Sequence, residues 1–156
     1  MNIRIVAIGC LKEQFWIQAA DEYLKRLRPY AAVSVVEIRD QDPASCGGPQ
    51  KELELEGVDV LKTLRDDEYV ILLDIAGKQL SSEGFAETIE QLAIDGRSNI
   101  AFVVGGSVGV SAEVRARANA RLSFGKQTLP HNLARIVLLE QIYRAFKIIK
   151  REPYHK

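Results

Sequence analysis

Residues 69–75, YVILLDI, form an apolar run that is continuous instead of alternating along the chain. A strand that is buried on both faces has this pattern, and such strands are typical of parallel sheets covered by helices. Residues 99–104, NIAFVV, repeat the pattern, and residues 2–9, NIRIVAIG, are also apolar and rich in β-forming residues. The sequence therefore predicts that these strands lie in the interior of an α/β sheet.

Segments with helical patterns separate the predicted strands. Residues 51–64 repeat leucine and valine every three to five positions, which is the spacing of a helix that buries one face. Ser81 or Ser82 supplies a hydroxyl that can cap a further helix, and Gly96 supplies its stop. The full set of predicted elements is strands at 2–9, 33–39, 69–75, 99–104 and 121–125, helices at 14–28, 51–64, from Ser81 or Ser82 to Asp95, and at 130–150, a short helix after Ser111, and a loop at 40–50.

Strands and helices alternate from one end of the chain to the other. This order predicts an α/β fold with a mostly parallel sheet and helices on both faces. The length of 156 residues is typical of one domain, which we expect to span residues 1–156. In open sheets of this kind, ligands bind beyond the carboxyl ends of the strands.

The composition, with 47% hydrophobic and 27% charged residues, is ordinary for a globular protein and excludes the disordered and fibrous classes. No apolar run approaches the roughly 20 residues that a membrane span needs, and no signal-peptide pattern precedes the first strand. We therefore expect a cytoplasmic protein that does not enter a membrane. Cys10 and Cys46 are too few for a disulfide framework or for a zinc site built on cysteine pairs, so no metal is expected.

The formal net charge of zero hides an uneven distribution of charge. Residues 126–156 contain seven basic and two acidic residues, so the preceding part of the chain carries the compensating negative charge. A solvated helix face and a surface that binds a polyanion explain this distribution equally well. Residues 151–156, REPYHK, add an aromatic ring that can stack on a base and a histidine, although an ordinary frayed terminus is an open interpretation.

Glycine-containing turns follow two of the predicted strands. Residues 105–109, GGSVG, follow one buried strand, and residues 74–78, DIAGK, follow another. Glycine lets the backbone approach a ligand closely, but a purely structural turn explains either motif as well. Gly9 stands alone after the first strand, and no phosphate-binding motif surrounds Lys78, so dinucleotide and P-loop sites are disfavoured.

The predicted helix at 130–150 carries apolar residues on two sides. One stripe is enough to dock a helix on a sheet, so the second indicates a partner surface and predicts a homodimer. Arg135 projects into the first stripe, where it needs either a carboxylate partner or a polar site at the helix start. His131 is interpreted as a structural hydrogen-bonding residue. The first stripe consists of Leu138, Leu139, Ile142, Ala145, Phe146 and Ile149, and the second of Leu133, Ile136, Val137, Tyr143 and Ile148.

Five segments together resemble one known family. They are IVAIGCLKEQFW at 5–16, LLDIAGKQLSSEGFA at 72–86, FVVGGSVGVS at 102–111, LSFGKQTLPHNLARIVLLEQIYRAFKI at 122–148 and EPYHK at 152–156. On these residues the chain resembles, over essentially its whole length, the large-subunit ribosomal RNA pseudouridine methyltransferases of the knotted SPOUT class.

The resemblance implies methylation of the N3 ring nitrogen of a pseudouridine in large-subunit ribosomal RNA, with the assembled ribosome or large subunit as substrate. It also implies a C-terminal trefoil knot, a bent S-adenosylmethionine cofactor, and a homodimer in which the basic tail of one subunit completes the target pocket of the other. Carried over by position, the implied cofactor contacts are Leu73, Gly105, Phe124, Gly125, Lys126, Gln127, Thr128 and Leu129.

Within this resemblance the candidate catalytic residues are His155, Tyr154 and Arg135. A sulfonium methyl group is already activated, so the enzyme must align it with the ring nitrogen and help that nitrogen lose its proton. His155 or water would take the proton, Tyr154 would contact the base, and Arg135 would contact phosphates. Two alternatives stay open. A non-catalytic RNA- or ribosome-binding module predicts no S-adenosylmethionine affinity, and a small-molecule nucleotide-dependent enzyme leaves the basic tail unexplained.

Overall fold

Strands and helices alternate along residues 1–154, which are the residues described in this computed structural model. The strands pair in parallel in one five-stranded sheet, in agreement with the predicted α/β class. The elements are β1 (Asn2–Ile8), α1 (Gln14–Leu27), β2 (Ala32–Ile38), α2 (Pro43–Cys46), α3 (Pro49–Thr63), β3 (Tyr69–Gln79), α4 (Ser82–Ile94), β4 (Asn99–Val104), α5 (Ala112–Arg117), β5 (Ala120–Ser123) and α6 (His131–Ile149).

The sheet has the strand order β2-β1-β4-β3-β5, so that β4 lies at its centre. Successive residues of β4 point to opposite faces. Phe102 packs with α1, α4 and α6, whereas Val103 packs with α3 and α5. Both residues are fully buried. The continuous apolar pattern of this strand thus arises from helices on both faces, which confirms the predicted architecture.

The caps of several helices agree with the sequence patterns. The amide of Gly84 donates to Oγ of Ser81 at 3.1 Å, which makes Ser81, of the two candidate serines, the cap of α4. The amide of Val114 donates to Oγ of Ser111 at 3.3 Å at the start of α5. Pro130 is the N-cap of α6, which begins at His131, one residue later than predicted.

The prediction of a continuous loop at 40–50 is wrong. Residues 43–46 form the short helix α2, because Asp42 accepts a hydrogen bond from the amide of Ala44 at 3.0 Å and Pro43 suits a first helical turn. Gly47, with φ of 106°, ends this helix in the left-handed region. Pro49 then begins α3, two residues earlier than predicted.

Strand β3 continues past the predicted end at residue 75 and bends around β5. Both Leu73 and Lys78 pair with Leu122, so the residues between them leave the regular ladder. Gly77 lies in this bend, where a β-carbon would come within 2.8 Å of backbone atoms of Arg121 and Leu122. The bend therefore requires glycine at this position.

Among the described residues, no helix combines the length and apolar character that crossing a membrane requires.

We expect Gly77→Ala to destabilise the fold by about 1 to 3 kcal/mol, because the added methyl group separates β3 from β5. The matched control is Gly84→Ala, in a helix where the new β-carbon meets nothing closer than 3.5 Å. That control should be neutral or stabilising by up to about 1 kcal/mol. Urea unfolding measures both free energies, and equal midpoints for the two variants would contradict the close approach at Gly77.

Candidate functional site

A cavity of about 560 Å³ opens at the carboxyl ends of β3, β4 and β5. This is the edge at which parallel sheets bind ligands. Lys126 belongs to the predicted cofactor set but does not line the cavity, and its side chain is exposed. The other seven predicted contacts all line it, and they are Leu73, Gly105, Phe124, Gly125, Gln127, Thr128 and Leu129.

One wall of the cavity is the glycine turn after β4. Gly106 and Gly109 form an isolated bridge, and the Gly109 amide donates to the Gly106 carbonyl at 3.2 Å. Gly109 adopts a φ of 89°, which favours glycine. A β-carbon on Gly105 would lie 3.0 Å from the Gly109 carbonyl oxygen. A side chain at Gly105 would therefore force the neighbouring atoms of the turn to shift.

The loop after β5 forms another part of the cavity lining. The Gly125 amide donates to Oγ of Ser123 at 3.1 Å, and Gly125 has a φ of 120°. The Ser123 hydroxyl in turn donates to the Ile75 carbonyl at 3.1 Å. This hydroxyl thus joins the loop after β5 to the bend of β3, and both segments line the cavity.

The DIAGK motif does not gather its acid and its cation at the cavity. Asp74 lines the cavity, but its carboxylate is paired with Arg115 at 3.5 Å and with Arg121 at 3.6 Å. Lys78 is exposed and is not part of the cavity lining. The DIAGK residues therefore do not form a tight turn, and they do not bring an acid and a cation together at the cavity. These were the two interpretations that the sequence left open.

Arg135 has a carboxylate partner, which is one of the two environments that the sequence left open. Its guanidinium is 1% exposed, and it donates to Glu37 at 2.5 Å and to the Gly9 carbonyl at 2.8 Å. Burial raises the pKa of Glu37, but hydrogen bonds from Arg135, the Leu11 amide and Cys10 outweigh it, so the pKa lies below its usual value. Arg135 does not line the large cavity.

His131 has a role that the sequence interpretation missed. It lines the large cavity, and its ring packs so closely on Gly9 that a β-carbon there would lie 2.7 Å from Cε1 of the histidine. Its Nδ1 is buried without a hydrogen-bond partner. Burial first, and then the charge of Arg135, lower the pKa of His131, which favours a neutral ring. Its position two residues after the predicted contacts 124–129 was the available signal.

The described part of the tail packs on α6 of its own chain. The Tyr154 hydroxyl donates to Glu140 at 2.8 Å, and the Arg144 guanidinium lies 3.9 Å from the centre of the tyrosine ring. Burial and the bond to Glu140 raise the pKa of Tyr154 to about 12. Tyr154 does not line the large cavity, and the predicted catalytic residue His155 lies outside the described residues.

Metal ligands do not cluster anywhere in residues 1–154: no group of three or more His, Cys, Asp or Glu side chains is placed to hold a metal ion. Cys10 and Cys46 are both free thiols. The large cavity is lined by backbone turns, by apolar side chains, by the polar side chains of Asp74, Ser107, Gln127 and Thr128, and by His131.

Comparison with known proteins gives matches that span the chain. The profile of a family described as "Predicted SPOUT methyltransferase" matches residues 1–155. Proteins named "Ribosomal RNA large subunit methyltransferase H" are 50% identical in Enterococcus faecalis and 54% identical in Bacillus cytotoxicus, and each alignment covers 100% of both chains. A solved structure of a probable methylase family protein from Haemophilus influenzae shares the fold, with a TM-score of 0.54 and 17% identity over 99% of this chain and 70% of that one.

We expect Arg135→Met to destabilise the protein by about 2 to 3 kcal/mol, because Glu37 and the Gly9 carbonyl lose their partner. The control is Arg26→Met, which breaks an ion pair with Glu22 whose side chains are about half exposed. An exposed pair of this kind contributes less than about 1 kcal/mol. Chemical unfolding measures both values, and equal losses would contradict the anchoring role of Arg135.

Proposed function

The chain belongs to the SPOUT methyltransferase family, and from that premise we propose that it transfers a methyl group from S-adenosylmethionine to ribosomal RNA of the large subunit. One observation carries the proposal. Seven residues that were predicted as cofactor contacts from three separate stretches of sequence line a single cavity. Relatives matched over their full length carry the name of a ribosomal RNA large subunit methyltransferase, which supports the same substrate for this chain.

The cavity fits such a cofactor in size and in chemistry. Its volume of about 560 Å³ is in the range of small-molecule sites. Leu73, Val104 and Leu129 offer apolar surface to an adenine ring, and the turns at Gly105 and Gly125 bring backbone polar groups to the rim. When bound, S-adenosylmethionine supplies an activated methyl group on a sulfonium. The protein then has to orient the acceptor and hold back water.

Within large-subunit ribosomal RNA, the proposed methyl acceptor is the N3 nitrogen of a pseudouridine. The proposed substrate is the assembled ribosome or its large subunit, and the proposed location of the reaction is the cytoplasm. The basic C-terminal region supports a polyanionic substrate, because Lys147, Lys150 and Arg151 lie at the end of α6 or just after it. His155 stays the proposed proton acceptor. Arg135 is proposed as a positioning residue, since its two terminal nitrogens donate to Glu37 and to the Gly9 carbonyl.

The protein is also proposed to act as a homodimer. The first stripe of α6 is largely buried within the single chain, whereas Leu133, Ile136, Val137, Tyr143 and Ile148 are only half-buried. A partner subunit at this second stripe would bury them further. We propose that one domain spans residues 1–156 and that its C-terminal third forms the trefoil knot. The tail of each subunit then completes the target pocket of the other subunit.

In this arrangement Tyr154 would exchange its contacts with Glu140 and Arg144 for contacts with RNA. In the single chain its hydroxyl is bound to Glu140 and its ring to Arg144, so stacking on a base would first release both contacts. Base stacking contributes about 1 to 3 kcal/mol, which is of the order needed to offset their loss. The docked tail is therefore consistent with a resting position that RNA displaces.

We expect Thr128→Trp to weaken S-adenosylmethionine binding at least about tenfold, or 1.4 kcal/mol. Thr128 is exposed at the cavity, so an indole there would occupy ligand space without disturbing the core. Calorimetric titration measures the affinity, and Glu90→Trp, on the exposed face of α4, is the control that should bind normally. Unchanged affinity in a folded Thr128→Trp variant would contradict the site. Ribosome binding without any cofactor affinity would favour the non-catalytic RNA-binding module.

Deletion of residues 153–156 is expected to leave the fold and cofactor affinity intact, since none of them lines the cavity among the described residues. Transfer of labelled methyl to ribosomes should fall at least about a hundredfold, because proton transfer and base contact are lost together. Tyr154→Phe keeps the ring and should retain most activity, whereas Tyr154→Ala should not. A truncated protein that methylates at the wild-type rate would show that the tail has no role.

The oligomeric state is measured by sedimentation velocity at micromolar concentration. We expect a dimer for the wild type. Ile148→Glu, which places a charge in the half-buried stripe, should dissociate it while keeping the secondary structure. A monomeric wild type that still methylates ribosomes would contradict the shared site.

A further inference from the structure

A second recess, of about 310 Å³, lies beside the large cavity at the carboxyl ends of β1 and β2. Four carboxylates line it, from Asp40, Asp42, Glu52 and Glu56, together with His131. No lysine or arginine of the described residues lines it. The recess, called the acidic recess below, is therefore a concentration of negative charge without a cation.

Glu52 and Glu56 lie one turn apart on α3, and they are 3% and 1% exposed. Oε1 of Glu56 accepts a hydrogen bond from the Gln41 amide at 2.9 Å, but Oε2 of each residue is buried without a partner. Burial, and then the neighbouring carboxylates of Glu52 and Asp40, raise the pKa of Glu56. A buried carboxylate oxygen without a donor is costly, so the recess favours a ligand that brings donors and positive charge.

The acidic recess and the large cavity share a wall. Gly106, Ser107 and His131 line both. A β-carbon on Gly106 would lie 3.4 Å from Oε2 of Glu56, so the unpartnered oxygen points toward this wall. The unpartnered Nδ1 of His131 belongs to the same wall. A ligand in the large cavity that extends past Gly106 would meet these acceptors.

We propose that the acidic recess binds a primary ammonium group, with Glu52, Glu56 and His131 accepting its hydrogen bonds. An ammonium carries three donors and no acceptor, which matches the three unpartnered acceptors. The assignment rests in part on the proposed function, because the amino-acid end of S-adenosylmethionine carries such a group and its cavity adjoins the recess. A free polyamine is the other source of the same chemistry.

The first measurement compares three ligands by calorimetry: S-adenosylmethionine, its decarboxylated form, which keeps the ammonium, and methylthioadenosine, which lacks it. Glu52→Gln/Glu56→Gln should bind the first two at least about tenfold more weakly than the wild type and methylthioadenosine equally well. The matched control is Glu54→Gln, on the exposed side of the same helix, where the carboxylate pairs with Lys51. It should bind all three ligands normally.

Titration with spermidine distinguishes the two sources. If the cofactor's ammonium fills the recess, saturating S-adenosylmethionine should abolish spermidine binding. If a free amine fills it, spermidine should bind in the presence of the cofactor and lose at least about tenfold in the double variant, while the three cofactor ligands are unaffected. A double variant that binds every ligand as the wild type does would overturn the ammonium site and leave the proposed function standing.

Failure of the proposed function has a different signature, namely a wild type that binds no S-adenosylmethionine. Spermidine binding that depends on the two carboxylates would then still support the recess, and its absence would overturn it. Thermal unfolding without ligand checks the variants, which should melt no lower than the wild type because an unpaired buried charge is removed. If the double variant does not fold, Glu52→Gln alone replaces it, since Oε2 of Glu52 has no hydrogen-bond partner that the change would remove.

Discussion

One buried guanidinium holds the functional edge of the sheet together. Arg135 joins α6 to the carboxylate of Glu37 on β2 and to the carbonyl of Gly9, directly after β1. Gly9 supports the ring of His131, which begins α6 and forms part of the wall between the two cavities. The position of this wall therefore depends on a charge pair that never reaches the large cavity. The Arg135 side chain is 1% exposed and the Glu37 side chain is 36% exposed, so the cost of desolvation falls mainly on the guanidinium, and its hydrogen bonds to Glu37 and Gly9 offset that cost.

The fold followed from the sequence because strong local patterns agreed with one another. Continuous apolar runs located β3 and β4, and the serines at 81 and 111 located two helix starts. The short helix α2 was missed because proline and paired glycine usually signal a loop, and only the cap from Asp42 turns them into a helix. The extension of β3 was missed because its last residues are exposed, so that no apolar pattern marks them.

The parts of the site that are formed by backbone turns could be predicted from the sequence. The contacts between side chains that are distant in sequence could not. Glycine turns at strand ends indicated the large cavity, and the resemblance to a known family supplied the loop at 124–129. Spacing alone could not show that Glu37 neutralises Arg135, since the two are distant in sequence. The spacing of leucine and valine in residues 51–64 gave no sign that Glu52 and Glu56, on the same helix, are buried in the folded chain.

The bend of β3 around β5 has a consequence for the order of events during synthesis. The walls of the large cavity come from residues near 74, 105 and 125, so the pocket does not exist until the last of these has been made and has paired with the first. Contacts of such long sequence separation form slowly. A ligand that binds only the finished pocket then stabilises the completed chain over every shorter one by mass action. Ligand binding in the large cavity would thus favour the chain in which β5 has already paired with β3.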